Sequence, residues 1–567
     1  MGYWTCSEAL AVFILLTWLA MNICIFVDTF FWFENSKAYS YTRAMLRSSL
    51  AWARASAACL NFNCMLILLP ISRNFISFLR RACTCYRGKM RQQLDKNLTF
   101  HRLVAYMIVL HSGIHIIAHI FNMERYHQSH NKEAGELLNM LSCIGSTSNE
   151  SYLNPIRTSS TDTTKEILLT ISGATGIVIT LALVIIVTSS TDVIKQTSYE
   201  VFWYSHHLFI VFFIGLVIHG AGRIVRGLTP QSLLVHNITY CKDQSSKWGQ
   251  IQECPIPEFA GSEPGTWKWV LSPLLLYICE RIIRCYRSQQ AVSITKVVKH
   301  PSRVIELQMR KSGFRMEPGQ YVLLQCPSVS YLEWHPFTLT SSPEEDYFSV
   351  HVRVVGDWTA AFYKTYAADD KAFDNPCKLP SIAVDGPFGS ASSDVFLYQV
   401  SVCIAAGIGV TPFASVLKSI WYQCCNSNTT MKLKKVYFFW LCRSTYTFEW
   451  FADLLHSLEV QMSEGGKTNF LSYHIFLTGW DESQAAHIVL HHDDKADVIT
   501  GLKHKTFYGR PNWNAEFKEL VQNHTGTDIG VFYCGPKPLS TILRKLCNMH
   551  SSPYPQGVRF HYNKESY

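Results

Sequence analysis

Charge is scarce in this chain: only 16% of its 567 residues are charged, against about a quarter in an ordinary soluble domain. Cysteine is plentiful, at 19 residues. However, no C-x-x-C pair occurs, which excludes the usual zinc-ribbon and iron–sulfur ligand patterns. No calcium-loop pattern is present, so direct calcium control by that device is not expected. The first apolar stretch lacks a basic leader and a small-residue cleavage site, and therefore reads as a retained membrane helix, not a signal peptide. The net charge of +9 is modest and gathers beside apolar stretches, where it reports topology and not a nucleic-acid partner.

What is present divides into two unlike halves. Residues 1 to about 286 hold long apolar runs, and the remainder alternates strand-like and helix-like segments of ordinary polarity. Runs of about 20 apolar residues span a bilayer, and six are predicted, near 9–29, 48–70, 101–121, 167–188, 203–220 and 268–286. The 71–100 loop carries Arg73, Arg80, Arg81, Arg87, Lys89, Arg91 and Lys96, which assigns it to the cytoplasm. Both termini are then expected on the cytoplasmic side, with the 122–166 and 221–267 loops outside. Those outer loops hold glycosylation patterns at Asn149 and Asn237, and the pair Cys241 and Cys254, for which a disulfide is expected.

The apolar half also contains histidines at matched depth. Spans three and five run in the same direction, so His101 and His206 lie toward the inner face and His115 and His219 toward the outer. Spacings of 14 and 13 residues correspond to about 21 and 20 Å along a helix. Ionisable groups inside a bilayer are costly and mark function, and neutral imidazole is a common axial ligand of haem iron. Four such residues on two helices are expected to hold two stacked haems. Rotation is less tidy than depth: thirteen residues leave more than a third of a turn over. His207 is not excluded by spacing, and a bend or π-bulge in span five would be required. His111 and His119 lie one turn either side of His115 and are alternative ligands by spacing. Arg54, in span two, needs a buried anionic partner or an oxygen species.

In the second half, short alternating segments at 292–298, 304–308, 321–325 and 348–354 predict a small antiparallel barrel. His335-Pro-Phe-Thr338 lies between them, suited to a flat ring with a polar edge. Val400 to Ala406, then Gly407-Ile-Gly409-Val-Thr411-Pro412-Phe413, then a helix from Ala414, reads as strand, glycine turn and helix. Such a turn lets the backbone approach a phosphate at a helix N-terminus. Further strand–helix units at 436–458, 474–479 and 531–547 predict a parallel sheet. Arg443 and Arg510 are suited to an adenosine 2′-phosphate, favouring NADPH.

These motifs resemble the NADPH oxidases of the phagocyte flavocytochrome b heavy-chain type over essentially the whole chain. The resemblance rests on Ala53-Arg-Ala-Ser-Ala57, Leu60-Asn-Phe-Asn63, His115-Ile-Ile-Ala-His119, Glu333-Trp-His-Pro-Phe-Thr-Leu-Thr340, Asp385-Gly-Pro-Phe-Gly389, Gly407 to Phe413, Gly509-Arg-Pro-Asn-Trp513 and Cys534-Gly-Pro536. It implies a multi-domain chain: a six-helix transmembrane haem-binding bundle over 1–286, an antiparallel β-barrel FAD domain over 287–390 and an α/β NADPH domain over 391–567. It implies His101 and His206 on an inner haem, and His115 and His219 on an outer one, so that His206 is chosen over His207. It further implies Arg54 and His119 at an oxygen-reduction site; His335, Pro336, Phe337, Thr338 and Arg353 on FAD; and Gly407, Gly409, Thr411, Pro412, Phe413, Arg443, Arg510, Cys534 and Gly535 on NADPH, with Cys534 in a catalytic place. Tyr567 stands where the family usually ends in phenylalanine over the flavin.

The activity the resemblance implies is an electron relay from cytosolic NADPH through FAD and two b-type haems to extracellular oxygen, yielding superoxide at the plasma membrane. The partners implied are a small transmembrane subunit, cytosolic organiser and activator proteins and a Rac-type GTPase. Two other readings of the scaffold stand beside it: a ferric reductase, and a membrane proton conduit using the histidines as a relay.

Overall fold

In a computed structural model the chain is described except at residues 1, 83–86, 147–150, 158–161, 301, 368–378, 426–430, 445–448, 467–468, 480–489, 491–495, 498–499, 555 and 566–567. Asn149 and Tyr567 lie outside the described residues. The chain forms two compact units: 13–72 with 97–278, and 1–12 with 73–96 and 279–567.

In the first of these, four of the expected spans are helical segments over Ser49–Ile71, Asn97–Gln128, Ile171–Ser189 and Tyr199–Gly220, and a fifth is Glu8–Asn35. All five are long and apolar enough to cross a membrane. Thr170 caps the Ile171–Ser189 helix, its hydroxyl oxygen accepting from the Gly173 amide at 3.0 Å, which satisfies a backbone donor that apolar surroundings would leave unpaired. The helix expected at 268–286 forms, over Thr266–Gln289, but it is not among those five. Lys268, Glu280, Arg281 and Arg284 flank an uncharged stretch from Trp269 to Cys279, which sets its composition apart from the other five.

Val104, Ile108, Phe212, Phe213 and Val270 build the core between helices. A second core gathers Tyr41, Trp248 and Phe259 around Cys241 and Cys254, which are joined as a disulfide. Strands β1 (Arg226–Leu228) and β2 (Phe259–Gly261) pair antiparallel beside it. Asn237 is exposed and caps a short helix.

The other unit carries two sheet systems. Strands β3 (Val292–His300), β4 (Val304–Lys311) and β7 (Phe348–Arg353) form one antiparallel sheet. Strands β5 (Tyr321–Gln325), β6 (His335–Thr338) and β8 (Ala383–Phe388) form another. Their inward residues, among them Ile305, Leu307, Val322, Leu324, Val350 and Val352, share one core, and a Leu339–Val350 bridge joins the sheets. This is the expected small barrel.

The remaining strands are β9 (Val400–Ala406), β10 (Lys435–Cys442), β11 (Leu471–Leu477), β12 (Phe507–Tyr508), β13 (Asp528–Cys534) and β14 (Arg559–Lys564). They form one parallel sheet in the order β12-β11-β10-β9-β13-β14. Two separate apolar cores, one on each face, cover it. Burial on both faces explains why Val400–Ala406 reads as a continuous apolar run without alternation.

Candidate functional site

The structure brings the four histidines together as two facing pairs. The ring centres of His101 and His206 are 6.3 Å apart, and those of His115 and His219 are 6.2 Å apart. All four Nδ1 atoms have oxygen partners. His101 Nδ1 lies 2.9 Å from the Ile67 carbonyl and His115 Nδ1 3.0 Å from the Ala53 carbonyl. His206 Nδ1 lies 3.2 Å from the Ser190 hydroxyl, and His219 Nδ1 3.2 Å from the Thr175 hydroxyl. An Nδ1 that donates to oxygen fixes the tautomer with the Nε2 lone pair free, the form in which a histidine ligates a metal. A metal–imidazole bond of about 2 Å, plus roughly 1 Å from nitrogen to ring centre, taken on both sides, totals about 6 Å. The donor set and its span fit an iron between each pair.

Span five achieves this with a tight turn, not with a π-bulge. Its helix breaks between Tyr199–His206 and Phe209–Gly220. Within the break the amides of His207, Leu208 and Ile210 donate to carbonyls three residues back, those of Tyr204, Ser205 and His207. Such 3₁₀ geometry advances about 120° per residue instead of about 100°. It therefore adds rotation toward the missing fraction of a turn, where a π-bulge would subtract it. His207 turns elsewhere: its Nδ1 lies 2.7 Å from the Trp203 carbonyl, and its ring lies 4.2 Å from the Trp203 ring.

The alternative histidines are not part of either facing pair. His111 is buried with its Nδ1 unpartnered among the described residues, its ring 6.0 Å from Phe26. His119 meets His115 edge-on, with ring centres 4.5 Å apart. The Arg54 guanidinium lies 5.2 Å from the Phe33 ring, and its Nε is buried without a hydrogen-bond partner among the described residues. Burying a charged donor unpaired is costly, so Arg54 is suited to an anionic group or an oxygen species.

In the barrel, His335 to Thr338 form β6, an edge strand that pairs with β5 alone within its sheet. The His335 ring packs 4.2 Å from Trp358 and its Nε2 meets Glu333 at 3.1 Å. The buried Trp358 Nε1 has no partner among the described residues. Thr338 donates to Thr411 at 2.5 Å, which ties this strand to the glycine turn. Arg353 ends β7, and a Cβ added at Gly407 would meet only its Nη1, at 3.7 Å. An aromatic-flanked edge strand facing an open glycine turn is suited to a planar ring system with a phosphate tail.

Gly407 adopts a φ of +56°, a left-handed conformation open to glycine at little cost. The Gly407–Val410 turn leads into the Thr411–Cys425 helix, with Pro412 in its first turn. A Cβ at Gly409 would come within 2.4 Å of the Cys534 carbonyl oxygen and 3.2 Å of its sulfur. The glycine therefore permits the β9 and β13 ends to close together. Burial pushes the Cys534 thiol well up from its ordinary value, so it stays protonated. Phe413 is a fully buried core residue and serves packing. Arg443 and Arg510 are exposed, each at the carboxyl end of its strand, following β10 and β12. Ligands of open parallel sheets bind along that edge.

Sequence reasoning missed the oxygen partners of the four rings and the aromatic wall at Trp358, since neither follows from spacing.

Residues 54–217 match the ferric reductase like transmembrane component family, 289–392 an FAD-binding domain and 398–548 the ferric reductase NAD binding domain. Over its full length the chain is 62% identical to NADPH oxidase 3 of Homo sapiens, with 100% of both chains covered. It belongs to the NADPH oxidase family. This oxidase is also 50% identical to NADPH oxidase 1 of Mus musculus, covering 100% of this chain and 95% of that one. It is 36% identical to a superoxide-generating NADPH oxidase heavy chain of Dictyostelium discoideum, covering 100% and 98%. As an NADPH oxidase relative it is a multi-pass membrane oxidoreductase with FAD- and NAD-binding domains.

Proposed function

We propose that the chain moves electrons from NADPH across a membrane to molecular oxygen and releases superoxide. The observation that carries this reading is the pair of facing imidazole couples, each ring tethered through Nδ1 to an oxygen. When bound, FAD accepts a hydride and the two haems pass electrons singly; the protein supplies the geometry.

His101 with His206, and His115 with His219, would hold the inner and outer haem. His335, Pro336, Phe337, Thr338 and Arg353 would hold the flavin. Gly407, Gly409, Thr411 and Pro412 would seat the NADPH pyrophosphate, and Arg443 and Arg510 its 2′-phosphate, with Cys534 and Gly535 lining the hydride-transfer place. Arg54 and His119, the latter against the His115 ring, would meet oxygen. Arg54 supplies positive charge where the oxygen becomes anionic. The domain limits proposed are 1–286, 287–390 and 391–567.

The cytoplasmic placement of both termini rests on the basic 71–100 loop, and plasma-membrane residence on family likeness. The small transmembrane subunit, organiser, activator and Rac-type GTPase are proposed partners on the same likeness.

Anaerobic NADPH added to purified, FAD-loaded protein tests the reading. Reduction of the haem bands, followed by a dismutase-sensitive signal outside vesicles once oxygen is admitted, is the expected result. Haem reduction with external iron reduced but no superoxide would transfer the reading to a ferric reductase. Well-folded protein without haem bands would overturn it.

A further inference from the structure

The barrel carries a cluster of ligand-type side chains that the electron path does not use. His300 ends β3, Glu306 lies on β4 and His351 on β7, three neighbouring strands of one sheet. The His300–Glu306 separation is 3.3 Å between Nε2 and Oε2, and the His351–Glu306 separation is 3.7 Å between the same atom types. One ligand atom from each of the three residues falls within 4.8 Å of the others. The two imidazoles lie 5.2 Å apart with planes at 24°.

We infer that His300, Glu306 and His351 form a site for a divalent transition-metal ion, zinc, bound through two imidazole nitrogens and one carboxylate oxygen with a fourth position left to water. Bonds of about 2 Å to a tetrahedral zinc place its ligand atoms about 3.3 Å apart, close to both observed separations. The supports around the ligands are those of a metal site. The Nδ1 of His351 is held by the Thr340 hydroxyl at 2.8 Å, aiming Nε2 at the cluster. The other oxygen of Glu306, Oε1, accepts from Gln308 Nε2 at 3.0 Å, and Oε2 faces both imidazoles. Fixed second atoms of this kind orient ligands and set the tautomer.

Two imidazoles select zinc or a neighbouring late transition metal over magnesium or calcium, which prefer oxygen. Lys418 is the ammonium facing the cluster, and its own pairing with Glu345 at 3.5 Å offsets part of its charge. An ion here would clamp the three strands β3, β4 and β7 of the flavin barrel.

Metal content of the full-length, haem- and FAD-loaded protein tests this. The enzyme is stripped with a chelator, dialysed against micromolar zinc and then against zinc-free buffer, and assayed for metal per chain. Wild-type protein is expected to keep about one zinc more than either His300→Ala or Glu306→Gln. Zinc-edge X-ray absorption should show two imidazoles in the wild type and one fewer for the zinc remaining in His300→Ala under saturating metal. His300 lies at a strand end with its side chain 17% exposed, so its variant is expected to retain FAD, which flavin content verifies. Equal zinc in wild type and His300→Ala, or no zinc retained by the wild type, overturns the site.

Discussion

Arg80 and Asp394, 314 positions apart in sequence, are joined at 2.9 Å with both side chains nearly buried. Arg91 reaches the other oxygen of the same carboxylate at 2.7 Å. The basic 73–96 segment thus packs with the dehydrogenase half, and two of its charges are spent on internal pairing and not on solvent or lipid. Asp394→Asn takes the carboxylate from Arg91 and leaves Arg80 with Asp95 alone. It is expected to lower stability by about 3 kcal/mol, read as an earlier loss of FAD in thermal denaturation.

Haem content separates the facing rings from their neighbours. On the proposed ligation, His101→Ala removes one haem of two, and the pyridine haemochrome yield per chain falls by about half. His207→Ala, which loses contacts to Trp203 and Phe209, is expected to keep both. Equal haem in the two variants would refute the assignment.

Arg54 is expected to act late in the path. Arg54→Ala should leave anaerobic haem reduction by NADPH unchanged and lower superoxide output by about ten- to a hundredfold. A full superoxide rate in a haem-replete variant would remove Arg54 from the oxygen site.

The nucleotide side separates geometry from charge. Gly409→Ala places a methyl against the Cys534 carbonyl, and hydride transfer is expected to fail with NADPH and NADH alike. On the proposed seating of the nucleotide, Arg510→Ala removes only a charged contact to the 2′-phosphate. It should raise KM for NADPH by about ten- to a hundredfold and leave that for NADH unaltered. An equal rise for both nucleotides would place Arg510 elsewhere.

Acid should loosen the flavin barrel in a defined window. Glu306 is held near 2, with burial opposed and outweighed by His300 and His351; His351 is held near 3 by burial. For both, the folded state binds fewer protons than the unfolded one between the depressed value and the ordinary one. Stability is therefore expected to be intact above about pH 6.5 and to fall as the pH drops toward 3. His351→Gln should flatten the upper part of that profile in metal-free protein, followed by FAD fluorescence.

Much of the architecture was legible because its signals are local. Apolar length marked the five spans, alternation marked β3, β4, β5 and β7 but not β6, and the unbroken run Val400–Ala406 marked a sheet buried on both faces. The helix at 266–289 also forms where its apolar run places it, although Glu280, Arg281 and Arg284 shorten the uncharged stretch. Glu280 instead caps another helix, accepting from the Asn74 and Phe75 amides at 3.1 and 2.9 Å. Depth of the four histidines followed from counting residues, but azimuth did not, because dihedral angles at His207 and Leu208 decide it. The metal-type cluster was invisible for a related reason: His300, Glu306 and His351 converge only through the register of β3, β4 and β7.

The overwound turn between His206 and Phe209 sets the phase between the two depths of the bundle. The rings of His206 and His219 each face a partner on the uninterrupted Asn97–Gln128 helix, so one rod keeps regular time while the other is regulated by a single joint. A residue inserted or deleted at that joint would leave His206 and His101 in register and swing His219 by about 100°. Alignment of the two proposed redox levels is thus held by the backbone dihedrals of His207 and Leu208.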